Sequence, residues 1–148
     1  MPYRHLLPEQ RVTLITLGAR DLERSRAFYR ALGWQPAREM EEVSFYQMQG
    51  AALALFRLQD LAADQGRSAG DLGTGAVTLA QNFPTEAEVD AAWQRAVEAG
   101  AQAVKPPQPT VWGGYSGYFA DPDSHLWELT MNPFWALSPD GSLTLPPG

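Results

Sequence analysis

Glu128 is the acidic residue whose sequence setting best suits chemistry. In the run LWELTM, Leu126 to Met131, the alternate residues Trp127, Leu129 and Met131 form a wholly apolar side, which turns Leu126, Glu128 and Thr130 the other way. A carboxylate facing a partly dry hollow gains proton affinity and can serve as base, acid or ligand anchor; a structural hydrogen bond is the competing use. Arg57 lies two residues beyond Leu55 and shares its side of a strand, so it is expected to aim a guanidinium at the same hollow, toward Glu128 or an anionic ligand. The competing reading is a strand-end arginine reaching for water. In PTVWGGYSGYF, residues 109–119, Trp112, Tyr115 and Tyr118 are interleaved with Gly113, Gly114 and Gly117. Glycines let the backbone bend, and rings on such a segment can close over a flat or apolar ligand, or else pack into the core of a hairpin. No Lys-Ser or Lys-Thr follows, so this is not a phosphate loop.

Other chemistry is excluded by composition. With no cysteine there is no disulfide, thiolate metal site or cysteine nucleophile, and the chain suits a reducing, cytoplasmic setting. The only imidazoles are His5 and His125, and His125 stands an odd number of residues from Glu128, which predicts opposite faces on a regular strand. The acids of ADPDSH, residues 120–125, read as turn formers around Pro122. A net charge of −6 with eleven scattered lysines and arginines leaves no basic patch for nucleic acid. No run approaches the ~20 apolar residues of a membrane span, and the opening MPYRHLLPEQ does not read as a signal peptide.

The elements that must position these residues occur twice. RVTLITLG, residues 11–18, reads as a strand. Asp21 caps a helix with Leu22, Ser25, Tyr29 and Leu32 on one side, closed by Gly33; Phe28, Tyr29 and, later, Trp93 are core positions by spacing. A short strand near 35–38 and two strands joined around Gln49-Gly50 complete a β, α, β, β, β unit over about 11–58. Residues 59–74 are polar, glycine-containing and weakly periodic, and are taken as a connector. The pattern restarts over about 75–131: a strand in GAVTLAQ, a capping box at Thr85 and Glu88, a helix to Gly100, then strands in QAVK, SGYFA and HLWELTM. Setting Gly33 on Gly100 superposes the helices, and setting Gly50 on Asp123 places ALALF beside HLWEL. A tail, 132–148, carries Phe134, Trp135 and Leu137, which are expected to cover an apolar patch on this chain or a partner.

The words ITLGARDLERSRAFYRALGW and GYFADPDSHLWEL, in this order and with this layout, resemble the vicinal oxygen chelate superfamily of glyoxalases, bleomycin-resistance proteins and extradiol dioxygenases, over about residues 11–131. The resemblance implies an α+β fold of two paired βαβββ modules, their mixed sheets curled around a shared cavity with the helices outside. Metal-using members carry His, Glu or Gln ligands on four strands. Here the resemblance maps those positions onto Leu14, Leu55, Ala76 and Glu128, of which only Glu128 offers a donor.

Three expectations follow. The leading one is a small-molecule binding protein without a conventional metal site or other cofactor, its cavity lined by Leu14, Leu55, Arg57, Ala76, Trp112, Tyr115, Tyr118 and Glu128, with Glu128 as the candidate catalytic group. The alternative is a metal-dependent, glyoxalase-like lyase or a dioxygenase, with an atypical set around Glu128 that draws on Gln47 or His125. The third is a dimeric interaction module without a ligand. The resemblance favours a homodimer; fold alone names no substrate.

Overall fold

The structure is a computed structural model that describes residues 10–147; His5 falls outside them. The first unit runs β1 (Leu14–Ala19), α1 (Leu22–Ala31), β2 (Arg38–Glu39), β3 (Val43–Gln47) and β4 (Ala52–Arg57). The second runs β5 (Thr78–Asn82), α3 (Glu86–Glu98), β6 (Gln102–Pro109), β7 (Tyr115–Ala120) and β8 (Leu126–Met131). Each forms a four-stranded mixed sheet, in the orders β1-β4-β3-β2 and β5-β8-β7-β6, with the first and last strands parallel and the others antiparallel. Identical strand order is what two copies of one βαβββ unit must give.

The helix starts follow their caps. The Asp21 side chain accepts from the Arg24 amide at 3.1 Å, and Thr85 accepts from the Glu88 amide at 3.2 Å while its hydroxyl donates to the Glu88 carboxylate. Both helices stop at glycines in left-handed conformation, Gly33 (φ 99°) and Gly100 (φ 104°). The connector differs from expectation. Leu58–Gln65 form a helix, α2, followed by a 3₁₀ turn at Ala69–Asp71. Two turns are too short for a clear sequence period, yet Leu58 and Leu61 suffice to dock α2 over Gly18, where an added Cβ would lie 2.7 Å from Leu58 Cδ1.

One apolar core joins both units. Leu17, Ala19, Leu53 and Leu55 from the first sheet meet Phe28 and Tyr29 of α1, Val89 and Ala96 of α3, and Phe119, Trp127 and Leu129 from the second sheet. Phe28 and Tyr29 are buried as their spacing predicts, and Trp93 is half-buried. Arg26, whose burial the sequence did not reveal, ties α1 to β3 by donating to Ser44 Oγ at 2.6 Å.

The turn between β7 and β8 binds the units together. Asp121 and Asp123 are each 4% exposed. Asp121 accepts from the Tyr29 hydroxyl (2.7 Å) and from the amides of Asp123 and His125; Trp127 Nε1 in turn donates to the Tyr29 oxygen at 3.0 Å. Asp123 accepts from the Arg20 amide (2.9 Å), the Ser25 hydroxyl (2.8 Å) and the Arg24 guanidinium (3.4 Å). A buried donor left without its acceptor costs roughly 1–3 kcal/mol. Asp123→Ala is therefore expected to destabilise the protein by about 3 kcal/mol in urea unfolding, because it strips the buried Ser25 hydroxyl and the Arg20 amide together. Arg24→Ala, removing the exposed partner, is expected to cost less than about 1 kcal/mol.

Candidate functional site

On β8, Trp127 and Leu129 enter the core, so Leu126, Glu128 and Thr130 occupy the opposite, inner side of the second sheet. Glu128 sits directly across from Tyr118, and Thr130 from Ser116, on β7. The Ser116 and Thr130 hydroxyls share a hydrogen bond of 2.5 Å, both buried. Ser116, Tyr118 and Glu128, with Lys105, Gln108 and Trp112, line a hollow of about 360 Å³. Trp112, 44% exposed, forms one wall. Its ring lies over Gly114, where a Cβ would come within 2.1 Å of the indole, so only glycine leaves that seat open.

The Tyr118 phenol is held above its ordinary pKa of 10.0, first by burial and then by the charge of Glu128 and a hydrogen bond to it. Among the described residues no ion pair reaches Glu128. A half-buried carboxylate met by one neutral phenol keeps accepting capacity for a donor from outside the chain.

Tyr118, Trp112 and Glu128 thus share one hollow, while the other residues expected there lie elsewhere. Leu55 is 1% exposed and paired with Leu17, on the helix side of the first sheet. The cause is a slip of one residue in the internal alignment. Counting instead from the parallel pairs Leu14↔Ala52 and Thr78↔Leu126, the counterpart of Glu128 is Ala54 (128 − 126 = 54 − 52). Leu14, 45% exposed, does lie on the inner side, but does not border the Glu128 hollow. Ala76 precedes β5, in a separate hollow between β1 and β5; the residue seven before the helix cap, as Leu14 is, is Thr78. Tyr115 points to the helix side and donates to Asp90 of α3 at 2.7 Å. Arg57 is the strand-end arginine of the competing reading, donating to Asp60 at 2.6 Å across the start of α2. Lys105, Gln108 and Ser116 were missed.

A divalent ion does not fit these donors. The four strand positions carry Leu14, Ala54, Thr78 and Glu128, and among the described residues no group of three or more His, Cys, Asp or Glu gathers anywhere. Of the two reserve donors, Gln47 donates to the Met48 and Ala51 carbonyls at the hairpin turn. His125 donates through Nε2 to the Gly18 carbonyl at 2.8 Å, so that nitrogen is engaged at the junction with β1.

Residues 11–129 match the family model described as Glyoxalase/Bleomycin resistance protein/Dioxygenase superfamily. Among solved structures, a glyoxalase-related enzyme from Fulvimarina pelagi is similar, with 41% identity, a TM-score of 0.86, and coverage of 93% of this chain and 99% of that one. A glyoxalase/bleomycin resistance protein/dioxygenase from Nocardioides has 25% identity and a TM-score of 0.71, covering 88% of this chain and 89% of its own. A lactoylglutathione lyase from Agrobacterium tumefaciens, 24% identical with a TM-score of 0.68 over 88% of this chain and 100% of that one, shares the fold. A comparison with curated proteins gives no match. Among the described residues no helix is long and apolar enough to cross a membrane.

The Tyr118–Glu128 contact has a pH signature. Because the folded-state pKa of Tyr118 is raised, its contribution to stability is present below 10.0 and is lost as pH rises through the folded value. In a tyrosinate absorbance titration read against Tyr118→Phe, Glu128→Gln is expected to lower the Tyr118 pKa only part of the way to 10.0, since burial is the larger cause.

Proposed function

The chain belongs to the glyoxalase/bleomycin resistance protein/dioxygenase superfamily, and on that footing we propose that it binds a small organic molecule in the hollow around Glu128, without a divalent metal ion. The observation that carries the reading is a half-buried carboxylate with unused accepting capacity, beside an aromatic wall, in a hollow within the range of roughly 300–1,000 Å³ typical of ligand sites. The aliphatic side chains at Leu14 and Ala54 support the metal-free part.

Two further parts of the reading concern setting. The protein works as a homodimer in the cytoplasm and has no nucleic-acid partner. Phe134, 65% exposed against the Gly113 turn, and Trp135 leave apolar surface at the tail for a second copy to cover, and the chain carries no cysteine.

A catalytic version is favoured by one contact, the phenol on the carboxylate. Glu128 would then take a proton from the bound molecule, with Tyr118 steadying the charge. The resemblance to a structure described as an enzyme points the same way. Exchange of a ligand C–H proton in heavy water, abolished in Glu128→Gln, distinguishes this from plain binding.

Elemental analysis of protein purified without chelator is expected to show metal well below one equivalent. A small-molecule screen read by thermal shift is expected to yield ligands whose stabilisation, about 2.7 kcal/mol at a hundredfold excess over Kd, disappears in Glu128→Gln. One tightly bound nickel, zinc or iron per chain would overturn the reading, as would ligands indifferent to Glu128→Gln.

A further inference from the structure

The strand register of the second sheet places a cation opposite Glu128 in the same hollow. Lys105 on β6 pairs with Tyr118 on β7, and Tyr118 pairs with Glu128 on β8. Directly paired residues project to the same side of a sheet, so the three form one row, Lys105–Tyr118–Glu128. With strands ~4.8 Å apart, the backbones of Lys105 and Glu128 are about 10 Å apart, with the phenol between them.

Regular strand geometry would not put Lys105 there. Ala103 pairs with Phe119, which lies in the core, and residues two apart normally share a side. The register shifts between Ala103 and Lys105 and again between Lys105 and Gln108. The first shift gives β6 an extra residue and turns Lys105 to the Glu128 side; the second returns Gln108 opposite Ser116. Pro106 and Pro107, which lack an amide proton, fill the irregular stretch without stranding a donor. Gly117 permits the close approach, since a Cβ there would lie 2.8 Å from Pro107 N and 3.0 Å from Lys105 O. Bulges next to functional sites characteristically re-aim a side chain.

Among the described residues no ion pair reaches Lys105 or Glu128, so the hollow offers two opposite charges, neither neutralised by a side-chain ion pair. Trp112, in the turn that joins β6 to β7, supplies a flat apolar wall to the same hollow. Resting on the reading of this hollow as the ligand site, we propose that the ligand is a small flat zwitterion, held by an anionic group at Lys105 and a cationic group at Glu128. Lys105 is then a specificity-determining residue, and the two bulges are the device that aims it.

Three probes that differ only in charge test this by calorimetric titration of the full chain: 4-(aminomethyl)benzoate, 4-methylbenzoate and 4-methylbenzylamine. The zwitterion is expected to bind about tenfold more tightly than either singly charged probe, the factor a charge-assisted contact supplies. Lys105→Met is expected to abolish the advantage over 4-methylbenzylamine, with Lys105→Arg restoring it. Glu128→Gln is expected to abolish the advantage over 4-methylbenzoate. Equal binding of the three probes, no binding by any of them, or a zwitterion advantage untouched by Lys105→Met overturns the zwitterion assignment alone. Thermal-shift ligands that ignore Glu128→Gln overturn the underlying reading of the hollow.

Discussion

A buried carboxylate survives only where donors surround it, and the turn after β7 contains two. Asp121 and Asp123 each gather three donors, and four of the six reach them from β1–α1: the Arg20 amide, the Arg24 guanidinium, the Ser25 hydroxyl and the Tyr29 hydroxyl. Those carboxylates cannot be desolvated until the first unit has docked, so the turn makes assembly of the two units cooperative. His125 adds one more link, to the Gly18 carbonyl. What reads in the sequence as a simple Pro-containing turn is the fastener of the fold. The strand that follows it carries Glu128, so the candidate site inherits its position from this junction.

The duplicated layout was legible because it rests on strong local signals: Asp21 and Thr85 as caps, Gly33 and Gly100 as stops, and apolar alternation in the strands. The inner side of β8 was legible for the same reason. The inner side of β4 was not. Four residues, 48–51, join β3 to β4, whereas five, 121–125, join β7 to β8, so aligning the two turns by their middles slips the final strands by one. A slip of one exchanges the faces of a strand, which is why Leu55 was expected in the hollow and Ala54 holds the place. Lys105 was hidden by a similar cause, since a bulge reverses the parity on which face assignment depends. Tyr115 and Arg57 were misplaced because a side chain at a strand end answers to its nearest polar partner, here Asp90 and Asp60.

The four inner-strand positions onto which the family resemblance maps ligands carry Leu14, Ala54, Thr78 and Glu128, so one carboxylate stands among them. The polar residues near that carboxylate lie along the second sheet: Tyr118 and Ser116 on β7, Lys105 and Gln108 on β6. The fold is that of the superfamily while the hollow is lined mainly by side chains outside those four positions, which is why a family match narrows the architecture more than the reaction.

The connector helix has an effect on symmetry. A chain built from two like units begins with two like inner faces, each able in principle to cradle something. Leu58 and Leu61 press onto Gly18, where a Cβ would meet Leu58 Cδ1 at 2.7 Å, and with it they border a separate hollow of about 250 Å³ at that end of the first face. Among the described residues the second unit has no counterpart of α2 after its last strand. The duplication is therefore one of strand order and not of surface: two inner faces alike in layout carry unlike linings.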